Sequence, residues 1–146
     1  MEAMCETREQ ERLRFENRAK KILSEREFVS LACVNREGYP RVCEMEVVKA
    51  VGLSEIYFTT VKKSEKVIHF RANDKAGVSF SGDADSVSLI GHVEIVEDME
   101  TKKAIWQGGH TKRFVEENGE PKYCILKFKT AEGRFLVDGE KRTFSI

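Results

Sequence analysis

The chain has 146 residues, 40% hydrophobic and 34% charged, and its 25 basic residues balance its 25 acidic ones. That length suits one domain with a core of its own. The balanced charge argues against nucleic acid or an anionic membrane surface as the main partner, and no run approaches the roughly 20 apolar residues of a membrane span.

Residues 6–27 are highly charged, but Phe15, Ala19, Ile22 and Leu23 form one apolar stripe at helical spacing. Glu9 with Arg12, Glu11 with Arg14 and Glu16 with Lys20 are placed to pair along that helix. Its mixed-sign surface fits a solvated helix lying on a barrel. Residues 28–34 follow as a strand, and Asn35-Arg36-Glu37-Gly38 reads as a hairpin turn. Residues 41–48 alternate, with Cys43, Met45 and Val47 pointing one way and Glu44 and Glu46 the other. After a turn at Gly52, residues 55–60 return as a third strand.

A short helix is expected over residues 64–72, with Ser64 as its N-cap accepting a free backbone N–H. Thr59, Thr60, Lys62, Lys63, Ser64 and Lys66 crowd this strand–helix junction with hydroxyls and ammoniums. A helix N-terminus carries partial positive charge and exposed N–H groups, so it favours an anion, typically phosphate. The plainer reading is a capped surface helix with solvated lysines.

Residues 76–80 form a strand and 81–85 a turn. In the long strand 86–96, Val87, Leu89, Gly91, Val93 and Ile95 alternate toward the core. A glycine inside such a strand implies a bulge or a close backbone approach. Asp98 caps a helix running to about Trp106, which Gln107-Gly108-Gly109 breaks. A second short helix is expected over 110–117, ended by Asn118-Gly119, then a strand over 123–129. Residues 133–137 and 142–146 read as a final hairpin turning at Asp138-Gly139. There is no repeat, low-complexity tract or linker. Residues 1–146 therefore form a single domain, mainly β with added helices, a closed antiparallel barrel with residues 1–27 packed on it.

The four cysteines, Cys5, Cys33, Cys43 and Cys124, include no C-x-x-C pair, so metal and thioredoxin-type chemistry have no support. The last three lie in apolar strand patterns, where a free thiol packs as a small core residue; a Cys33–Cys43 bridge across the hairpin is the minor alternative. Residues 1–6 lack the basic and apolar regions of a secretory signal, and a reduced, cytoplasmic protein is expected. His69 and His92 have no partner at a telling spacing and read as surface or satisfied core residues. His110 follows the break after Trp106. Glu44 and Glu46 share one strand face; buried, one would have a raised pKa suited to acid–base work, and solvated they are surface groups.

A Thr-Thr pair closing a strand, Ser64 four residues after Thr60, Lys66 two further on and then an apolar helix resembles the phosphate loop of the pyridoxamine 5′-phosphate oxidase-like, FMN-binding split-barrel family. The hairpin with Gly38-Tyr39-Pro40 at its tip and the strand from Leu89 to Val96 share that likeness, which is nearest to the general stress protein type. The resemblance implies a split β-barrel of antiparallel Greek-key type and a homodimer holding FMN at the subunit interface. It implies that Thr59, Thr60, Ser64 and Lys66, in a loop that also carries Lys63, bind the phosphate and ribityl chain. Backbone and side chains from Cys43 through Glu44 and Met45 to Val47 would line the isoalloxazine, with Trp106, from the partner subunit or its own helix, near it. Three departures stand out, one being Glu65 where the pyridoxamine-oxidase members are often basic. Family members commonly carry a basic residue near Glu44, and a carboxylate there would repel phosphate. The segment Arg134 to Gly139 does not match the Trp- and Arg-bearing end of the vitamin oxidases, so pyridoxamine 5′-phosphate oxidation is not expected. The expected function is an FMN-dependent oxidoreductase of unknown small-molecule substrate, with no catalytic residue or metal assigned and no nucleic-acid or membrane partner. The alternatives are a non-catalytic flavin-sequestering dimer and a cofactor-free relative that has lost the phosphate site.

Overall fold

The computed structural model describes residues 5–105, 116–117, 120–121 and 123–146. Helix α1 (Arg8–Glu25) opens on a reciprocal cap. The Thr7 hydroxyl accepts from the Gln10 N–H at 3.1 Å, and the Gln10 side chain accepts from the Thr7 N–H at 2.9 Å, satisfying two donors that a bare helix end leaves open. Its apolar stripe is the expected one: Phe15, Ala19, Ile22 and Leu23 are all buried.

The ion pairs on α1 differ from expectation. Glu16 takes Arg12 at 2.8 Å rather than Lys20. Arg14 reaches back to Glu6, and Glu11 is held by Arg142 at 2.8 Å. Only Glu11 trades a helical partner for a tertiary one, Arg142 from the last strand; Glu16 keeps a helical partner four residues away.

Strands β1 (Phe28–Val34), β2 (Pro40–Val51) and β3 (Glu55–Val61) form a meander. Helix α2 (Glu65–Ala72) leads to β4 (Lys75–Gly82) and β5 (Asp85–Val96), and α3 (Met99–Ile105) follows. Then come β6 (Glu116–Glu117), β7 (Glu120–Pro121), β8 (Tyr123–Val137) and β9 (Glu140–Ser145). The large sheet runs β3-β2-β1-β4-β5-β8-β9, and a further β3–β8 pairing closes six of its strands into an antiparallel barrel. This is the split-barrel architecture that the motif order implied.

The closure depends on β8. Its first half pairs with β3, from Tyr123 opposite Val61 to Lys129 opposite Glu55. Its second half pairs with β9, and most of its length pairs with β5. The two segments expected as separate strands are thus one strand of 15 residues. The β8–β9 turn is the expected one, with Asp138 at φ 51° and Gly139 at φ 78°, the mirror-image turn that suits a two-residue hairpin. The register shifts between Ile90 and Gly91. A Cβ on Gly91 would lie 1.9 Å from the Lys129 carbonyl oxygen, so the expected close approach is there.

Phe58, Leu89, Leu126 and Phe128 are fully buried inside the barrel, each contributing about 1.5–3 kcal/mol of apolar transfer. Phe15 closes the α1 side, edge-on to Phe135 and Phe144 at 6.3 and 6.0 Å. A second cluster of Tyr57, Tyr123, Ile125 and Ile105 joins α3 to the outward faces of β3 and β8. The expected helix over 110–117 lies mostly outside the described residues, but its last two, Glu116–Glu117, are extended and pair with Glu120–Pro121. Among the described residues, no helix is long and apolar enough to cross a membrane.

Candidate functional site

The strand β3 alternates, so Ile56, Phe58 and Thr60 are buried while Thr59 is half-buried on the opposite face. The chain then turns tightly, the Ser64 N–H donating to the Val61 carbonyl at 3.0 Å. Ser64 has the extended backbone of an N-cap, with φ −69° and ψ 154°, but makes no side-chain cap bond. Its hydroxyl instead accepts from the Thr60 hydroxyl at 3.3 Å. The expected cap is therefore corrected: a neighbouring hydroxyl competes for Ser64, and the two hydroxyls sit together at the start of α2.

Lys66 and His69 lie on the half-buried side of α2, toward the inward side chains of β1 and β2. Cys33 Sγ is 3.6 Å from His69 Nδ1. Cys43 Sγ donates to the Leu31 carbonyl at 3.6 Å. Burial pushes both thiols up, while the charge of Lys66 pulls both the other way. Arg41, opposite Cys33 in the strand register, acts on Cys33 in the same direction as Lys66. Arg41, Lys66, His69 and the Thr60–Ser64 hydroxyl pair thus share one end of the barrel. Among the described residues, no carboxylate forms an ion pair with Arg41 or Lys66. Cys33, Cys43 and Cys124 are free thiols, so the minor disulfide alternative is set aside.

The other expected residues divide. Glu44 does not approach this end: it faces the opposite side of β2, where the Ser30 hydroxyl donates to its carboxylate at 2.6 Å. Met45 is a core side chain, 8% exposed. Cys43 is half-buried beside the core, within reach of the charge on Lys66. Lys63 is exposed on the turn. Trp106 and His110 lie outside the described residues. His92 is exposed and sits 3.2 Å from Asp74, a surface pair.

Sequence reasoning missed Lys102 on α3. It is 2% exposed, with its ammonium 5.3 Å from the Tyr123 ring centroid. Burial first, and Lys62 second, lower its pKa. Charged residues on a short surface helix give no signal of such burial. The outward sheet face holds an open groove of about 1000 Å³ whose walls include Ser30, Glu44, Ser79, Ser88 and Arg134. Beside it Val42, Ala32, Gly77 and Ile90 stand in register across four strands, with Val42 66% and Ile90 53% exposed.

The fold matches solved structures. A Clostridium acetobutylicum protein related to general stress protein 26 of Bacillus subtilis aligns with a TM-score of 0.80 at 23% identity, over 91% of this chain and 95% of its own. A pyridoxamine 5′-phosphate oxidase-related, FMN binding protein of Nostoc punctiforme aligns with a TM-score of 0.65 at 13% identity, over 96% and 97%. A heme binding protein of Mycobacterium smegmatis aligns at 0.71 and 15%, over 89% of this chain but 57% of its own. At these identities the likeness is one of fold. None of the curated proteins matches the sequence. The sequence model of the family described as Pyridoxamine 5′-phosphate oxidase matches residues 15–137, so this chain belongs to the pyridoxamine 5′-phosphate oxidase family.

Proposed function

We propose that the protein is a homodimeric FMN-binding flavoprotein that serves as an oxidoreductase for a small molecule. The observation that carries this reading is the Thr60–Ser64 hydroxyl pair at the start of α2, with Lys66 two residues on, while Glu44 is held by Ser30 on the other face of β2. Phosphate needs donors and positive charge together, and this set supplies both. Lys66 and Arg41 would hold the phosphate, and the Thr60 and Ser64 hydroxyls would orient it. Flavin, once bound, supplies the two-electron chemistry; the protein supplies position and electrostatics. The resemblance in motif order and the FMN-binding relative in Nostoc support the same cofactor.

The exposed row Val42, Ala32, Gly77 and Ile90 is the face we assign to the second subunit. Small residues let two sheets approach closely, and the exposed valine and isoleucine gain from losing water. Pyridoxamine 5′-phosphate oxidation is not part of the proposal. The segment from Arg134 to Gly139 ends β8 and turns into β9, with Arg134 directed to an exposed surface.

The test is a titration of FMN into the wild type and into Ser64→Ala and Lys66→Ala. Each charge-assisted contact is worth about 1.5–3 kcal/mol, so each variant should bind roughly 10- to 100-fold more weakly. Unchanged affinity in both would remove the site from this end of the barrel. Oxidation of a reduced nicotinamide by the loaded protein would separate an oxidoreductase from a flavin-sequestering dimer.

A further inference from the structure

The outward face of the large sheet carries two adjacent rows of side chains. In one, Ala32, Gly77 and Ile90 stand opposite each other on β1, β4 and β5. In the next, Glu44, Ser30, Ser79, Ser88 and Arg134 stand opposite each other on β2, β1, β4, β5 and β8. Residues paired across antiparallel strands point to the same face, so each row is a line of neighbours across the sheet. Both lines are centred on β4, with Gly77 and Ser79 as their midpoints.

Each row complements itself when read backwards. The polar row has a carboxylate at one end, a guanidinium at the other and hydroxyls between. Glu44 is exposed, and the Arg134 side chain is 77% exposed, with Glu132 3.7 Å away. The apolar row has Ile90 at one end, 53% exposed. At the other end Ala32, with Gly77 beside it, leaves a hollow that belongs to a groove of about 480 Å³. Bulk and hollow thus lie one strand to either side of Gly77.

Sheets that pack face to face keep their strands roughly aligned and interdigitate side chains about 10 Å apart. Two copies of one chain do this about a two-fold axis lying between the sheets. An axis across the strands, along either row, sets each residue of that row over itself: Glu44 on Glu44 and Arg134 on Arg134, or Ile90 on Ile90. Opposed like charges and bulk on bulk both weaken such a contact. An axis along β4 instead sets β2 over β8 and β1 over β5, so that unlike residues meet in both rows. We propose that two copies of the chain pack on this face about a two-fold axis along β4, with Ile90 entering the hollow at Ala32 of the partner subunit and Glu44 meeting Arg134 of the partner subunit. This inference rests on the homodimer in the functional reading and says how its halves meet.

The experiment is analytical ultracentrifugation of the purified protein, giving the dimer dissociation constant of the wild type, Ala32→Ile, Arg134→Glu and the double variant Ala32→Ile with Ile90→Ala. All three positions face outward, and thermal melts verify that the variants stay folded. Ala32→Ile fills the hollow and Arg134→Glu sets carboxylate against carboxylate, so each should raise the dissociation constant by at least about ten-fold. The double variant exchanges bulk and hollow, and should return to within about three-fold of the wild type. A wild-type dimer that either single variant leaves unchanged would overturn this face and leave the flavin reading standing. A double variant no tighter than Ala32→Ile would overturn the axis along β4. A wild type that sediments as a monomer at every concentration would overturn the homodimer, and this inference with it. Loss of flavin binding alone would touch only the flavin reading, because association is measured without added flavin.

Discussion

Arg18 on α1 and Asp85 at the start of β5 lie 2.6 Å apart, Nε to Oδ2, in the contact that fastens the helix to the barrel. Asp85 also accepts from the Asp138 N–H at 3.0 Å in the β8–β9 turn, and Arg18 reaches Asp83 at 3.3 Å. One carboxylate thus joins the helix, the β4–β5 turn and the last hairpin. The bond from Arg18, and then the one from Asp138, hold the Asp85 carboxyl below the ordinary carboxylate range. A depressed folded-state pKa stabilises above the unfolded value, about 3.9 for Asp, and that stability is lost as pH falls through the folded value. The melting temperature should therefore fall as the solution is acidified below about pH 4. Asp85→Asn should melt lower at neutral pH and lose part of this acid dependence. Parallel acid limbs for the two proteins would refute the assignment.

Gly91 predicts a large effect from one methyl group. Its Cβ would sit 1.9 Å from the Lys129 carbonyl oxygen and 2.9 Å from the carbonyl carbon, and backbone cannot swing aside as a side chain can. Gly91→Ala should cost at least the roughly 1–3 kcal/mol of ordinary overpacking, measured by urea denaturation. A cost under about 0.5 kcal/mol, the range of neutral surface changes, would show that the β5–β8 bulge relaxes freely.

Tyr57 predicts an alkaline transition. Its hydroxyl donates to Glu55 at 2.6 Å, and that bond, with burial second, raises the Tyr57 pKa to about 12. A raised folded-state pKa stabilises below the unfolded value, about 10, and this stability disappears as pH rises toward about 12. Burial also raises the Tyr123 pKa, so ultraviolet titration should show one fewer tyrosine ionising above the ordinary range in Tyr57→Phe than in the wild type. The same variant should be less stable at pH 7 by about 1 kcal/mol, the usual net value of one hydrogen bond.

Glu44 separates the two faces of β2. Its carboxylate is held by Ser30 on the side away from Lys66, so Glu44→Arg should leave FMN affinity within about two-fold, whereas Lys66→Ala should lower it by about ten-fold or more. Tighter FMN binding by Glu44→Arg would place that side chain near the phosphate after all.

These residues also show what could be read from the chain. The alternation of Val87, Leu89, Gly91 and Val93 reveals a half-buried strand because side chains in a strand must alternate. Phe15, Ala19, Ile22 and Leu23 reveal the helix face by the same geometric necessity. Barrel closure was less legible: β3 and β8 pair through backbone groups more than 60 residues apart, Thr60 opposite Cys124, and no local pattern encodes that. Opposite parity for Cys43 and Glu44 was plain in the sequence. Which of the two faces α2 was not, because it depends on where the helix docks. The Ser64 cap failed for a similar reason, since Thr60 becomes a competing neighbour only once the turn has formed. Lys102 gave no hint of burial because its surroundings come from β8 and from Lys62 in the turn after β3.

The most direct measurement is the visible absorption spectrum of the purified protein, loaded with FMN and dialysed. A flavin band should remain at about one flavin per chain in the wild type and be lost from Lys66→Ala. A wild-type protein that emerges colourless would contradict flavin binding.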